Sequence, residues 1–151
     1  MKAQFTIATL LSVASALTIK PRADDPQYLV TGFEAKCYPR TSCHYEFEVA
    51  GPGGASAHCS FTGDPLGTDA LPEVTQRDSD DNAAYQWSVS NLPGGGLALW
   101  VGIQINATTN LGGIHNIGLD ELAFQSAGAA DGEYYNGTTE FYIPASFVHN
   151  G

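Results

Sequence analysis

The chain predicts an all-β protein: a single compact antiparallel β-barrel or sandwich. Three observations carry that prediction. Apolar and polar residues alternate in one short segment after another, the period of a strand with one buried face. Gly- and Pro-rich runs separate those segments, and past the first sixteen residues none sustains a helical period. Seven or more short strands with turn residues between them make an antiparallel sandwich or barrel.

Residues 1–16 have the layout of a secretory signal peptide: Lys2, an apolar stretch from Phe5 to Val13, and the small residues Ala14-Ser15-Ala16. The stretch is too short to span a bilayer and its end favours cleavage, so the product is expected to be secreted and extracellular. Cleavage leaves 151 − 16 = 135 residues, enough for one domain with a real core. It also removes one of six basic residues, leaving five against sixteen acidic ones, a net charge of −11. Nucleic acid and anionic membrane surfaces both ask for basic patches and are excluded as partners. Residues 17–27 hold two prolines and mixed charges without apolar periodicity and read as a flexible N-terminal arm. The folded domain is then 28–148.

Tyr28 to Ala35 is aromatic and β-branched, a first strand. Cys37 and Cys43 follow, six positions apart around Tyr38-Pro39-Arg40-Thr41-Ser42. In an exported chain this spacing predicts a local disulfide, worth about 2 kcal/mol on a loop-entropy estimate. Next, Tyr45, Phe47 and Val49 alternate with His44, Glu46 and Glu48. After Gly51-Pro52-Gly53-Gly54, the alternation resumes as Ala55, Ala57, Cys59 and Phe61. A hairpin centred on Pro52 sets Val49 opposite Ala55, Phe47 opposite Ala57 and Tyr45 opposite Cys59, with every apolar residue on one face. Burial of each large side chain is worth roughly 1.5–3 kcal/mol. Cys59, the odd cysteine, reads as a buried thiol. Pairing Cys43 with Cys59 is disfavoured by their offset, and an intermolecular bond is the third option.

Residues 62–83 are rich in proline and acid and read as a loop tucked in by Leu66, Leu71 and Val74. Tyr85, Trp87 and Val89 form a further strand, and Asn91 to Gly96 a turn. Leu97, Leu99, Val101, Ile103 and Ile105 make the longest clean alternation, the central strand, with Trp100 on its opposite face. Asn110-Leu111-Gly112-Gly113 reads as a turn. Apolar parity then changes from Ile117 and Leu119 to Leu122 and Phe124, which predicts a bulge or corner near Asp120-Glu121. Residues 128–132 read as a loop, and Thr139, Phe141 and Ile143 as the last strand.

Catalytic chemistry finds no support. His44, Glu46 and His58 share the hairpin's polar face and are candidate zinc ligands. No second shell accompanies them, so they read as an exposed cross-strand charge pair. Asp78-Ser79-Asp80-Asp81-Asn82 opens like a calcium loop, but Ala83 and Val89 stand where the glycine and the bidentate glutamate belong. Asp120 and Glu121 point to opposite faces of a strand, unlike an acid/base pair. Gly-x-Ser-x-Gly is absent, and the glycine runs lack the strand–helix context of a phosphate loop. No catalytic residue, metal or cofactor is assigned. Asn106-Ala107-Thr108 and Asn136-Gly137-Thr138 are glycosylation sequons near turns.

In order, YLVTGFEAK (28–36), HYEFEVA, SAHCSF, YQWSVS and GGGLALWVGIQI resemble the small secreted proteins of filamentous fungi related to the major allergen of Alternaria. The resemblance implies a secreted antiparallel β-barrel without known catalysis, acting as an allergen, effector or elicitor towards plants. It implies host or cell-surface proteins as partners, with small phenolics as ligands of some members. It also implies a partner for Cys59 near Arg77 or Asp78, where this chain has no cysteine, so monomer and dimer both stay open. The leading expectation is a non-enzymatic fungal interaction protein. The alternative, a carbohydrate- or small-ligand-binding β module, is motivated by Trp100, because sugars stack on exposed aromatics; its counter-reading is that a second layer covers that side chain.

Overall fold

The structure is a computed structural model that describes residues 25–38, 41–65, 70–125 and 132–149. The expected signal peptide, most of the N-terminal arm and Leu66 lie outside the described residues. Among the described residues eleven strands occur in the order β1 (Gln27–Tyr38), β2 (Ser42–Ala50), β3 (Ser56–Gly63), β4 (Val74–Asp78), β5 (Tyr85–Asn91), β6 (Leu97–Asn106), β7 (Thr109–Ile117), β8 (Leu122–Gln125), β9 (Gly132–Tyr135), β10 (Phe141–Pro144) and β11 (Ser146–His149). A first sheet runs β3-β2-β1-β9-β8, with β10 also paired to β1; a second runs β11-β7-β6-β5-β4. The all-β expectation holds, in the form of two antiparallel sheets. Among the described residues strand pairing does not close them into a barrel.

The sheets meet through aromatic rings. Phe47 of β2 lies 5.7 Å from Phe33 of β1 and 5.2 Å, edge to face, from Trp87 of β5 on the opposite sheet. All three rings are almost wholly buried, in the offset and edge-on geometries that aromatic quadrupoles favour. Three buried tyrosines add polar ties. Tyr28 donates its hydroxyl to the Leu111 carbonyl of the second sheet, Tyr45 to the Pro72 carbonyl (2.8 Å), and Tyr85 to the Ala55 carbonyl in the β2–β3 turn. Each uses the polar end of a mostly apolar side chain, so burial leaves no stranded hydroxyl.

The central hairpin forms with its apolar residues inward but two positions from the expected register: Val49 faces Ala57, Phe47 faces Cys59 and Tyr45 faces Phe61. The turn is Gly51 to Ala55, closed by Gly51 N–H to the Ala55 carbonyl at 3.1 Å. Gly53 and Gly54 both adopt positive φ there, which side chains resist. Sliding by two keeps every residue on its face, so the hydrophobic pattern admits both pairings and the turn chooses.

Several segments differ from expectation: β11 follows the strand read as the last, and Gly132, read as loop, opens β9, while 128–131 of that loop lie outside the described residues. Residues 74–78, read as loop, form the edge strand β4, whose side chains beyond Val74 are exposed and so give no alternation. Residues 110–113, read as a turn, lie inside β7; the β6–β7 turn is at Ala107-Thr108. Gly112 and Gly113 are there for space. A side chain at Gly113 would strike the Pro144 carbonyl, where the chain crosses from β10 to β11. The expected corner near Asp120-Glu121 is a short 3-10 turn, Leu119–Glu121. At the N-terminal end of the domain, β1 opens at Gln27, one residue before the expected start, and the Pro26 carbonyl accepts from Ala145 N–H.

Candidate functional site

The sandwich presents two outer faces of unlike chemistry. On the first sheet, β1, β2 and β3 turn Glu34, Lys36, His44, Glu46, Glu48 and His58 outward. Of the three candidate zinc ligands, Glu46 and His58 meet as the expected cross-strand pair, and His44 stands apart from them. His44 Nδ1 lies 2.9 Å from Thr62 Oγ1, two rungs along the hairpin from His58. His58 Nε2 lies 3.2 Å from Glu46 Oε1, and its Nδ1 lies 3.0 Å from Asp80 Oδ2. A carboxylate at each ring nitrogen asks both to donate, so the imidazolium is favoured. The bond to Glu46 is the main cause holding the His58 pKa above its ordinary value, against a smaller opposing effect of burial. Among the described residues no group of three or more His, Cys, Asp or Glu is arranged to hold a metal.

Asp80 and Asp81, from the stretch with a calcium-loop opening, are turned to another task. Ser60 donates to Asp80 Oδ2 (2.6 Å), His58 N–H to Asp81 Oδ1 (2.8 Å) and Asp80 N–H to the His58 carbonyl (2.8 Å). This clasp ties the β4–β5 turn of the second sheet to β3 of the first. Cys59 is a buried free thiol, its pKa pushed up to about 12 chiefly by burial and then by Asp80, Asp81 and Glu48. Cys37 and Cys43 face each other across β1 and β2 and form the disulfide. Glu121 is structural: it accepts from Gly118 N–H at 2.9 Å within the 3-10 turn.

The outer face of the second sheet is organised around Trp100 of β6. Register places Ser88 on one side of it and Ile114 on the other, with Gly102 and Gly112 as the next rung. A Cβ on Gly102 would come within 2.5 Å of Trp100 Cζ2, and one on Gly112 within 2.9 Å of its Nε1. The indole therefore lies down along the sheet over two glycines. Trp100 is half-buried, unlike Trp87, which is fully buried in the core. Ile114 and Val148 are exposed beside it and border a cleft with Ser146 and Pro144. The second layer expected over Trp100 is, among the described residues, only this rim. Sequence reading found Trp100 from its parity but missed Gly112 as its bed, since the glycine is twelve positions away.

Both sequon asparagines are exposed. Asn106 sits at the β6–β7 turn, where its Oδ1 accepts from Thr108 N–H at 3.0 Å and from Thr108 Oγ1 at 3.2 Å. Asn136 follows β9, its N–H bonded to the Glu121 carbonyl at 2.7 Å. No protein-family model matches the chain, and no curated protein matches it.

Proposed function

We propose that this chain is a secreted, non-catalytic interaction protein of the kind that its resemblance to the Alternaria major allergen implies: a fungal effector or elicitor acting by contact on a host plant or at the fungal surface. The observation that carries the reading is the group of Trp100, Ile114 and Val148 on one outer face. Contact surfaces are built this way, with aromatic and apolar anchors at a centre poor in charge. The disulfide and the signal-like first sixteen residues fit an exported protein. The test is leaf infiltration of the purified protein together with a pull-down from apoplastic fluid. A response and a retained partner are expected; neither, across several hosts, refutes the reading.

A second reading, a binding module for a small phenolic or glycan, is favoured by the flat seating of Trp100 on Gly102 and Gly112. Saturable protection of Trp100 fluorescence from a soluble quencher by members of a phenolic and glycan panel tests it.

A further inference from the structure

The Trp100 face has a composition that the chain as a whole does not share. The protein carries sixteen acidic and six basic residues. Yet around Trp100 itself the outer face carries the neutral hydrogen-bonding side chains Ser88, Gln104, Asn110, Asn116 and Ser146 beside the apolar Ile114 and Val148, while the acidic Asp78 that shares the face lies out on the edge strand β4 and accepts from Gln86 at 3.0 Å. At their centre is a planar ring whose inner side is fixed by two glycines and which, half-buried, lines the cleft bordered by Ile114, Ser146 and Val148. Substituting any ordinary residue at Gly112 would lift the ring, so the backbone holds the plane ready before anything binds.

We infer that this face is a platform for a neutral saccharide chain, with the Trp100 indole as the stacking plane and the surrounding amides and hydroxyls as hydrogen-bond partners. This rests on the small-ligand reading above and names its ligand class. A pyranose ring offers a face of C–H groups, which the electron-rich face of an indole attracts, and a rim of hydroxyls, each both donor and acceptor. Serine, asparagine and glutamine match that rim without the desolvation penalty that a buried carboxylate would carry. An open face along a sheet, unlike a closed pocket, lets a chain of sugars run through. A flat aromatic over glycine also shields the sheet's own backbone, so the test must separate ligand binding from that packing role.

The full secreted protein is titrated with hexamers of β-1,3-glucose, β-1,4-glucose and β-1,4-N-acetylglucosamine, with oligogalacturonate as the anionic control and a flavonol as the phenolic arm. Calorimetry reads affinity, and acrylamide quenching reads Trp100, because Trp87 is fully buried. At least one neutral hexamer should bind saturably, at about millimolar Kd or tighter, and protect Trp100. Trp100→Ala should weaken that binding by about tenfold or more. The exposed double variant Gln104→Ala/Ser146→Ala should weaken it several-fold with an unchanged melt, and it decides the matter if Trp100→Ala does not fold. Binding that ignores both sets of substitutions, or oligogalacturonate bound as well as the neutral hexamers, overturns the inference. Flavonol protection of Trp100 without any saccharide binding overturns it while sparing the small-ligand reading. Silence from every ligand overturns both.

Discussion

Tyr45→Phe removes one oxygen and almost no volume, so it isolates a polar tie from the packing around it. Tyr45 is 1% exposed, and its hydroxyl donates to the Pro72 carbonyl at 2.8 Å. Pro72 is itself buried. Burial raises the Tyr45 pKa far above the ordinary phenol value, so the hydroxyl keeps its proton at any working pH. A neutral hydrogen bond contributes about 1 kcal/mol net, and a buried carbonyl left without a partner costs about 1–3 kcal/mol. The expected loss is about 2 kcal/mol. With a urea m-value of about 2 kcal/mol/M for a domain of this size, the midpoint should fall by about 1 M at constant m. Amide exchange should speed up at Leu71, whose N–H bonds Glu133 Oε1 at 3.0 Å in the same segment. Tyr142→Phe, at a side chain 55% exposed, serves as control and should stay within about 0.5 kcal/mol. A Tyr45→Phe midpoint indistinguishable from that control refutes the idea that the 70–73 segment is tied down by this bond.

Further outcomes follow from the same geometry. Cys59, buried with its pKa pushed up to about 12, should resist Ellman's reagent in the native protein and react fully in denaturant, one thiol per chain. Rapid native labelling would contradict its burial. Two histidines should pull stability in opposite directions with pH. His58, raised chiefly by its bond to Glu46, stabilises fully below its ordinary 6.5 and loses that contribution as pH climbs through its raised value. His115 is stacked on Phe141 at 3.9 Å with no partner for Nε2 among the described residues, and burial lowers its pKa, so it begins to destabilise as pH falls below 6.5. His58→Gln should flatten the alkaline side of the stability curve and His115→Phe the acid side; an unchanged curve in either refutes that assignment. Asn106, exposed at a turn tip, should carry a glycan in protein secreted from a fungal host, seen as a mass shift lost in Asn106→Gln.

What the sequence made legible was local and periodic. Alternation identified the inward residues of β2 and β5 and those of β6 up to Ile103, but Ile105, read as part of the same row, is exposed past the register shift at the end of β6; cysteine spacing identified the disulfide. What it left out depended on residues far along the chain. The hairpin register was ambiguous by two because both pairings bury the same set, and only the five-residue turn separates them. Gly112 and Gly113 looked like a turn because glycine usually marks one. Here they answer to Trp100 and to the Pro144 carbonyl, neither of them a sequence neighbour. β4 offered no period because an exposed edge strand needs none. Asp80 and Asp81 resembled metal ligands because acid spacing says nothing of the histidine on another strand that they hold.

The two outer faces make different demands on a partner, and under the proposed contact function this favours the Trp100 face. Covering the first sheet's face means desolvating Glu34, Glu46 and Glu48, beside a histidine already engaged by two carboxylates. Buried charges are costly unless a partner pairs them well, and interface centres are depleted in them. Around Trp100 no such penalty arises, and Ile114 and Val148 offer apolar area to cover. Ile114 is 58% exposed, so Ile114→Glu should leave the melt within about 0.5 kcal/mol of wild type. Placed in the middle of a contact, the same carboxylate would be left unpaired, and the loss should be about 2 kcal/mol or more, some thirtyfold in affinity. Glu48→Gln on the other face should change binding little. If Ile114→Glu keeps full activity in the leaf assay while Glu48→Gln abolishes it, the working surface is the charged sheet and the assignment of contact to the Trp100 face is wrong.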